Sequence, residues 1–280
     1  MKQETGENSD AFQARRDINI THQGMDHTSI KQLFFDLLSD NFPKLHEEAM
    51  AQANLNVIAL AEELNTVLSE PHTTINPEKM ALPDVQAALN DAVQGAAKKG
   101  KKADLNLLAK LVASRIDDSN SDLLDMTIEE AIRITPKLTK EHIHFLSIKH
   151  FVTHMTLTSP NVDFHNLESF AGPVLSIFGD DCEISMSNIQ YLSGVGILDF
   201  NPIVKTDPYD TQFKTYPSLA ENIQEFQEKI KVQAPSLHSL LNLCESKSFS
   251  SVNLNSFGQV IALNSLVRIF GTLDLKKWIN

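Results

Sequence analysis

Ile30, Leu33, Phe34, Leu37 and Leu38 fall three and four residues apart, the spacing that lays apolar side chains along one face of an α-helix. The period returns between 45 and 68 with Leu45, Val57, Leu60, Leu64, Val67 and Leu68, and between 101 and 115 with Leu105, Leu108, Leu111 and Val112. A chain patterned in this way buries its stripes against one another, so the first half is expected to be all-helical. Breakers set the limits. Pro43 separates the first two helices and opens the second, whose length over 43–68 suits a bundle or an intersubunit coil. Pro71 and Pro83 frame a loop, a short helix over 83–94 is predicted to close at Gly95, and helices over 101–115 and 122–135 follow, the last stopped by Pro136.

One segment ahead of this run alternates instead. Ile18 and Ile20 are interleaved with Asp17, Asn19 and Thr21, between Gly6 and Gly24, which is the period-two pattern of a half-buried strand over 12–21 beginning at Phe12. A lone strand is unstable, because its backbone N–H and C=O groups need a partner edge. That edge is expected in another copy of the chain, which makes Phe12, Asp17, Ile18, Asn19 and Ile20 the candidate oligomer contacts. Pairing with a later strand of the same chain stays open, since the entropy of loop closure grows slowly with length.

The second half opens on a helix over 139–157 in which Ile143, Phe145, Leu146, Ile148, Phe151, Val152 and Met155 fall nearly all round, the mark of a central helix. Helices over 167–178 and 185–192 follow, and Gly194 and Gly196 lead into a strand over 197–200. An irregular insertion over 201–217, a helix over 219–232, a strand over 251–254 and a helix capped by Asn255 and running to Phe270 complete the chain. Three helices, a strand, an excursion, a returning strand and a closing helix resemble an elaborated winged-helix arrangement. The expected fold is therefore mainly α, divided into a leader with a β-strand (1–28), an all-helical region (29–136) and a winged-helix-like α+β region with a small sheet (137–280).

Across 280 residues, 42% hydrophobic and 21% charged side chains are ordinary globular values. A net charge of −12, spread over both halves, disfavours nucleic acid and anionic membrane as general partners, since phosphates need a positive field. Cys182 and Cys244 lack Cys-x-x-Cys spacing and read as reduced thiols; no apolar segment follows Arg15 and Arg16, and no apolar run reaches membrane-spanning length. The cytoplasm is the expected location, with no membrane partner and no cofactor.

Among chemical candidates, the stretch HFVTH places His150 and His154 four residues apart, on one helix face, where both could ligate one metal. His142 and His144 lie on the same helix; Phe151, Val152 and Thr153 supply no general base, and histidines on an apolar helix are more often packing residues. Lys98, Lys99, Lys101 and Lys102 form the basic cluster KKGKK, a weak phosphate candidate that reads more simply as a solvated turn. From 161 to 204 there is no lysine or arginine, while Asp163, Glu168, Asp180, Asp181, Glu183 and Asp199 are all acidic, which argues against DNA recognition by the wing-like unit. SGVGILDF lacks the third glycine of a dinucleotide fingerprint, and no nucleophile elbow or phosphate-binding loop is present.

GENSDAFQARRDINI, PDVQAALNDAVQGAAKKGKKADLNLLAKLVASRI, EAIRITPKLTKEHIHFLSIKHF and GQVIALNSLVRIFGTLDLKKWIN together resemble an uncharacterised family of bacterial proteins of similar length, over nearly the whole chain. In that family the leader resembles G-D-N-S followed by Q-A-G-R-D-I-N-I; here Glu7 replaces the aspartate and Arg15 the glycine. The resemblance implies one coherent unit and carries over no catalytic residue, and similar leaders precede bacterial proteins suspected in defence or signalling. The expected function is a non-enzymatic, self-associating protein-interaction module, a homo-oligomer whose protein partner is unknown. The alternatives are a nucleic-acid-associated regulator using the wing-like unit, and a metal-dependent enzyme centred on His150 and His154.

Overall fold

The computed structural model describes residues 27–279 except 42–46, 71–76, 118–119, 160, 181, 183, 204, 206, 246 and 272. The strand expected over 12–21, with Phe12, Asp17, Ile18, Asn19 and Ile20, lies outside the described residues.

Among the described residues the first half holds five α-helices. α1 (His27–Asn41) buries Ile30, Phe34 and Leu38, and α2 (Glu47–Leu68) buries Val57, Leu60, Leu64 and Val67, so the period read from sequence is the buried stripe. α3 (Pro83–Lys99) starts at its proline but does not close at Gly95 as expected; it continues to Lys99 and stops at Gly100, where φ is +52°. Gly95 answers a packing need instead. A Cβ there would run into the ring of Pro136, in the 3₁₀ turn Thr135–Lys137, so the missing side chain lets that turn lie on α3. α4 (Leu105–Ile116) begins later than the expected 101, because the Asp104 side chain accepts from the Leu107 N–H at 2.9 Å and fixes the start. α5 (Asp122–Ile134) is capped by Ser121.

α6 (Lys140–His154) is buried continuously from His142 to Val152, as its all-round apolar pattern requires. α7 (Phe164–Phe178) carries a reciprocal cap: Asp163 accepts from the Asn166 N–H at 2.7 Å, and the Asn166 side chain accepts from the Asp163 N–H at 3.1 Å. α8 (Met186–Gly194) leads through Gly196, at φ +82°, into β1 (Leu198–Phe200). The insertion is less irregular than expected, since Asp207 caps α9 (Pro208–Thr215) by accepting from the N–H groups of Tyr209 and Asp210. α10 (Ile223–Gln233), α11 (Pro235–Glu245) and α12 (Lys247–Ser250) complete a helical excursion before β2 (Val252–Leu254), and α13 (Ser256–Phe270) starts at the Asn255 cap.

β1 and β2 pair antiparallel in the register Leu198 with Leu254, Asp199 with Asn253 and Phe200 with Val252. The described residues are thus mainly helical with a small two-stranded sheet. α2 packs against α1, α3 and α4, while α13 packs against α4 and α5 of the early bundle and against α6, so one helix ties that bundle to the later elements. A single apolar core runs through both. Within the bundle, Arg115 is 3% exposed and reaches Asp84 at 2.6 Å and Asp125 at 3.1 Å, clamping α3, α4 and α5 together.

Candidate functional site

Leu198, Val252 and Leu254 are buried, whereas Asp199 and Asn253, opposite each other, are exposed. The ribbon is anchored rather than loose: the Asn201 N–H donates to the Ser251 carbonyl at 2.9 Å, and the Asn255 side-chain amide donates to the Gly196 carbonyl at 2.6 Å. Antiparallel ladders alternate in direction, so with 201 bonded to 251 and 255 to 197, the backbone groups of Leu198 and Phe200 on β1, and of Val252 and Leu254 on β2, point away from the partner strand.

α8 stands next to β1. It buries Ile189 and Leu192 and exposes Met186, Ser187, Gln190, Tyr191 and Ser193, a face without charge. Tyr191 donates its hydroxyl to the Lys137 carbonyl at 3.0 Å, and its ring lies 5.7 Å from that of His142 at 26°. Burial holds the His142 imidazole below its ordinary range, opposed by a hydrogen bond with Asn188 and by Glu141. This contact brings exposed Lys137 alongside α8, with exposed Lys140 three residues further along the chain. The cation-free stretch 161–204 therefore has a basic neighbour that only tertiary packing supplies, Lys137, 54 residues away in sequence from Tyr191. Glu141, also exposed, offsets part of that charge.

The histidines of α6 are engaged in packing. His144 Nδ1 lies 2.8 Å from the Asp180 carbonyl, and the His144 ring meets Phe178 edge-on. His150 is fully buried, stacked on His154 at 5.0 Å and 12° and flanked by Trp278 at 5.1 Å, and neither of its ring nitrogens has a hydrogen-bond partner among the described residues. Burial, with His154 adding to it, pushes its pKa down to about 3. The nitrogen lone pairs of stacked rings lie in parallel planes, and among the described residues no group of three or more His, Cys, Asp or Glu could hold a metal ion.

Lys98 and Lys99 occupy the last turn of α3 and Lys101 and Lys102 the 3₁₀ turn after it, all exposed. Cations at a helix C-terminus are favoured by the helix dipole, and the turn is pinned by Asn56, whose side chain donates to the Ala97 carbonyl at 3.0 Å. Cys182 and Cys244 are both buried. Burial pushes the Cys244 thiol up to about 12, with Lys149 opposing and Cys182 reinforcing the shift. Lys149, itself buried, donates to the Phe249 carbonyl at 2.9 Å, and burial draws its ammonium below the ordinary range.

No helix among the described residues is long and apolar enough to cross a membrane. No curated protein and no solved structure matches the chain. A family model matches residues 24–221 and 209–279, nearly everything after the leader. The chain belongs to that uncharacterised family.

Proposed function

We propose that the protein is a non-enzymatic interaction module that self-associates by strand addition. The observation that supports this reading is the strand pair, whose two strands are bonded to each other and have outward-directed backbone groups at Leu198, Phe200, Val252 and Leu254. Two-stranded ribbons gain stability from a third strand. The leader sequence has the required alternation: added as a third strand from another copy, it would put Ile18 and Ile20 on one side and Asp17 and Asn19 on the other, with Phe12 at its start. The acidic surface would then meet a protein partner in the cytoplasm, in a bacterial defence or signalling setting, and the wing-like order of elements serves protein contact. Light scattering on the full chain is expected to give a multiple of the protomer mass that falls when residues 1–24 are removed. An unchanged mass excludes the strand-exchange mechanism.

The position of Lys137 beside the uncharged face of α8, with exposed Lys140 three residues on, favours a second reading, a nucleic-acid-associated regulator that uses the wing-like unit. Lys98, Lys99, Lys101 and Lys102 would add phosphate contacts. Duplex DNA binding followed by anisotropy at physiological salt, and its loss in Lys137→Glu with Lys140→Glu, tests it. The metal-dependent enzyme centred on His150 and His154 has two nitrogen ligands behind it and ranks last.

A further inference from the structure

Where α7 crosses the end of α13, a groove of about 440 Å³ opens between Leu157, Val162, Phe170, Pro173, Ile269 and Phe270. Its volume lies in the range of roughly 300–1,000 Å³ typical of small-molecule sites. The aromatic wall is set in advance. Phe170 and Phe270 lie 5.0 Å apart, and both rest on Phe151, which is 2% exposed, at 4.9 and 6.0 Å. None of the described residues that line the groove is charged, so a charged guest would find no opposite charge among them to offset its lost hydration.

One polar feature gives the groove direction. Pro173 sits inside α7 and has no N–H, so the Ser169 carbonyl four residues earlier lacks its intrahelical donor. Ser169 and Pro173 both line the groove. We infer that this groove between α7 and α13 binds an uncharged aromatic small molecule whose N–H or O–H donates to the Ser169 carbonyl. The aromatic walls take its faces, and the carbonyl that Pro173 frees orients it; Ser159 and Asn166 supply the remaining polar lining.

Saturation-transfer NMR on the full chain, with indole and 1-methylindole as probes, tests the site. Indole is expected to bind saturably at millimolar concentration or below, and about three- to tenfold more tightly than 1-methylindole, the worth of one neutral hydrogen bond. Ser169→Trp, at an exposed helix position, fills the groove and is expected to weaken both probes more than tenfold. Pro173→Ala restores the N–H for the Ser169 carbonyl; it is expected to raise the melting temperature and to abolish the preference for indole while 1-methylindole still binds. Absence of saturable indole binding, or equal binding to Ser169→Trp, overturns the site, and a preference that survives in Pro173→Ala overturns the role of the carbonyl. A Ser169→Trp protein of reduced oligomeric mass, together with no indole binding to the native chain, assigns the groove to a second copy and equally overturns the inference.

Discussion

Gly258, in the first turn of α13, lies so close to the backbone carbonyl of Ile197 that a Cβ at this position would collide with the oxygen. The contact seats β1 against the closing helix and fixes where the strand pair sits relative to the core. Because the obstacle is backbone, it cannot swing aside. Gly258→Ala is expected to destabilise the protein by about 1–3 kcal/mol, the usual cost of overpacking. Gly194→Ala, at a glycine with nothing within 4 Å of the added carbon, is expected to change stability little. Urea unfolding of the two variants side by side checks the contrast; equal midpoints would show that the approach of Gly258 to Ile197 carries no weight.

Arg115 holds three helices through two carboxylates, and its side chain is 4% exposed against 20% for Asp125 and 57% for Asp84. Removing the guanidinium leaves Asp125 half-buried beside Lys79, 3.8 Å away, and Asn120, which donates to it at 2.8 Å. Arg115→Met is therefore expected to cost about 3 kcal/mol, the lower end for breaking a buried ion pair. Adding Asp125→Leu removes the stranded charge and should return a good part of that loss. Thermal unfolding of the single and double variants measures the coupling, and strict additivity would count against a shared network.

How far the sequence could be read depends on the range of the cause. α1, α2 and the all-round burial of α6 are legible because a 3.6-residue period is local, and the Asn255 cap and the two short strands announce themselves through adjacent residues. Gly95 misled, because the residue that requires a glycine there is Pro136, and a helix stop and a close packing contact look alike along the chain. α11 is not among the expected elements, although Leu237, Leu240, Leu241 and Cys244 give it a helical stripe, because a stripe of only about three turns is a weak local signal. The basic neighbour of α8 arises from the contact between Tyr191 and Lys137, which has no local signature. The groove at Pro173 had a readable half, a proline within a helical pattern, while Phe270 reaches it only through folding.

The thiol chemistry follows from burial. Cys244 is 3% exposed with its pKa pushed up to about 12, so the nucleophilic thiolate is scarce at neutral pH. Cys182 is 2% exposed, and its Sγ lies 3.1 Å from the Gly179 carbonyl. Both cysteines are expected to resist an aromatic disulfide reagent in the native protein and to react on the timescale of unfolding. Rapid modification of either under native conditions would contradict their placement in the core.

His150 gives the pH dependence of stability. Its pKa is about 3 in the folded protein against an ordinary 6.5, so between these values the unfolded chain holds a proton that the folded one refuses. Stability is then complete above about pH 6.5 and declines as pH falls, by up to about 1.4 kcal/mol per pH unit for one proton. His142, also held low by burial, acts in the same direction, whereas Asp84 and Glu141, held below their ordinary 3.8 and 4.5, matter only at lower pH. Between pH 6.5 and 5 the slope therefore belongs to histidines. His150→Phe keeps a ring against His154 and Trp278 and removes two buried nitrogens that have no partner among the described residues, so it is expected to raise stability at pH 7 by about 1–2 kcal/mol. It should also flatten the decline between pH 6.5 and 5. Urea midpoints at pH 7, 6 and 5 decide the matter: a variant as acid-sensitive as the native protein would mean that His150 takes up its proton without unfolding.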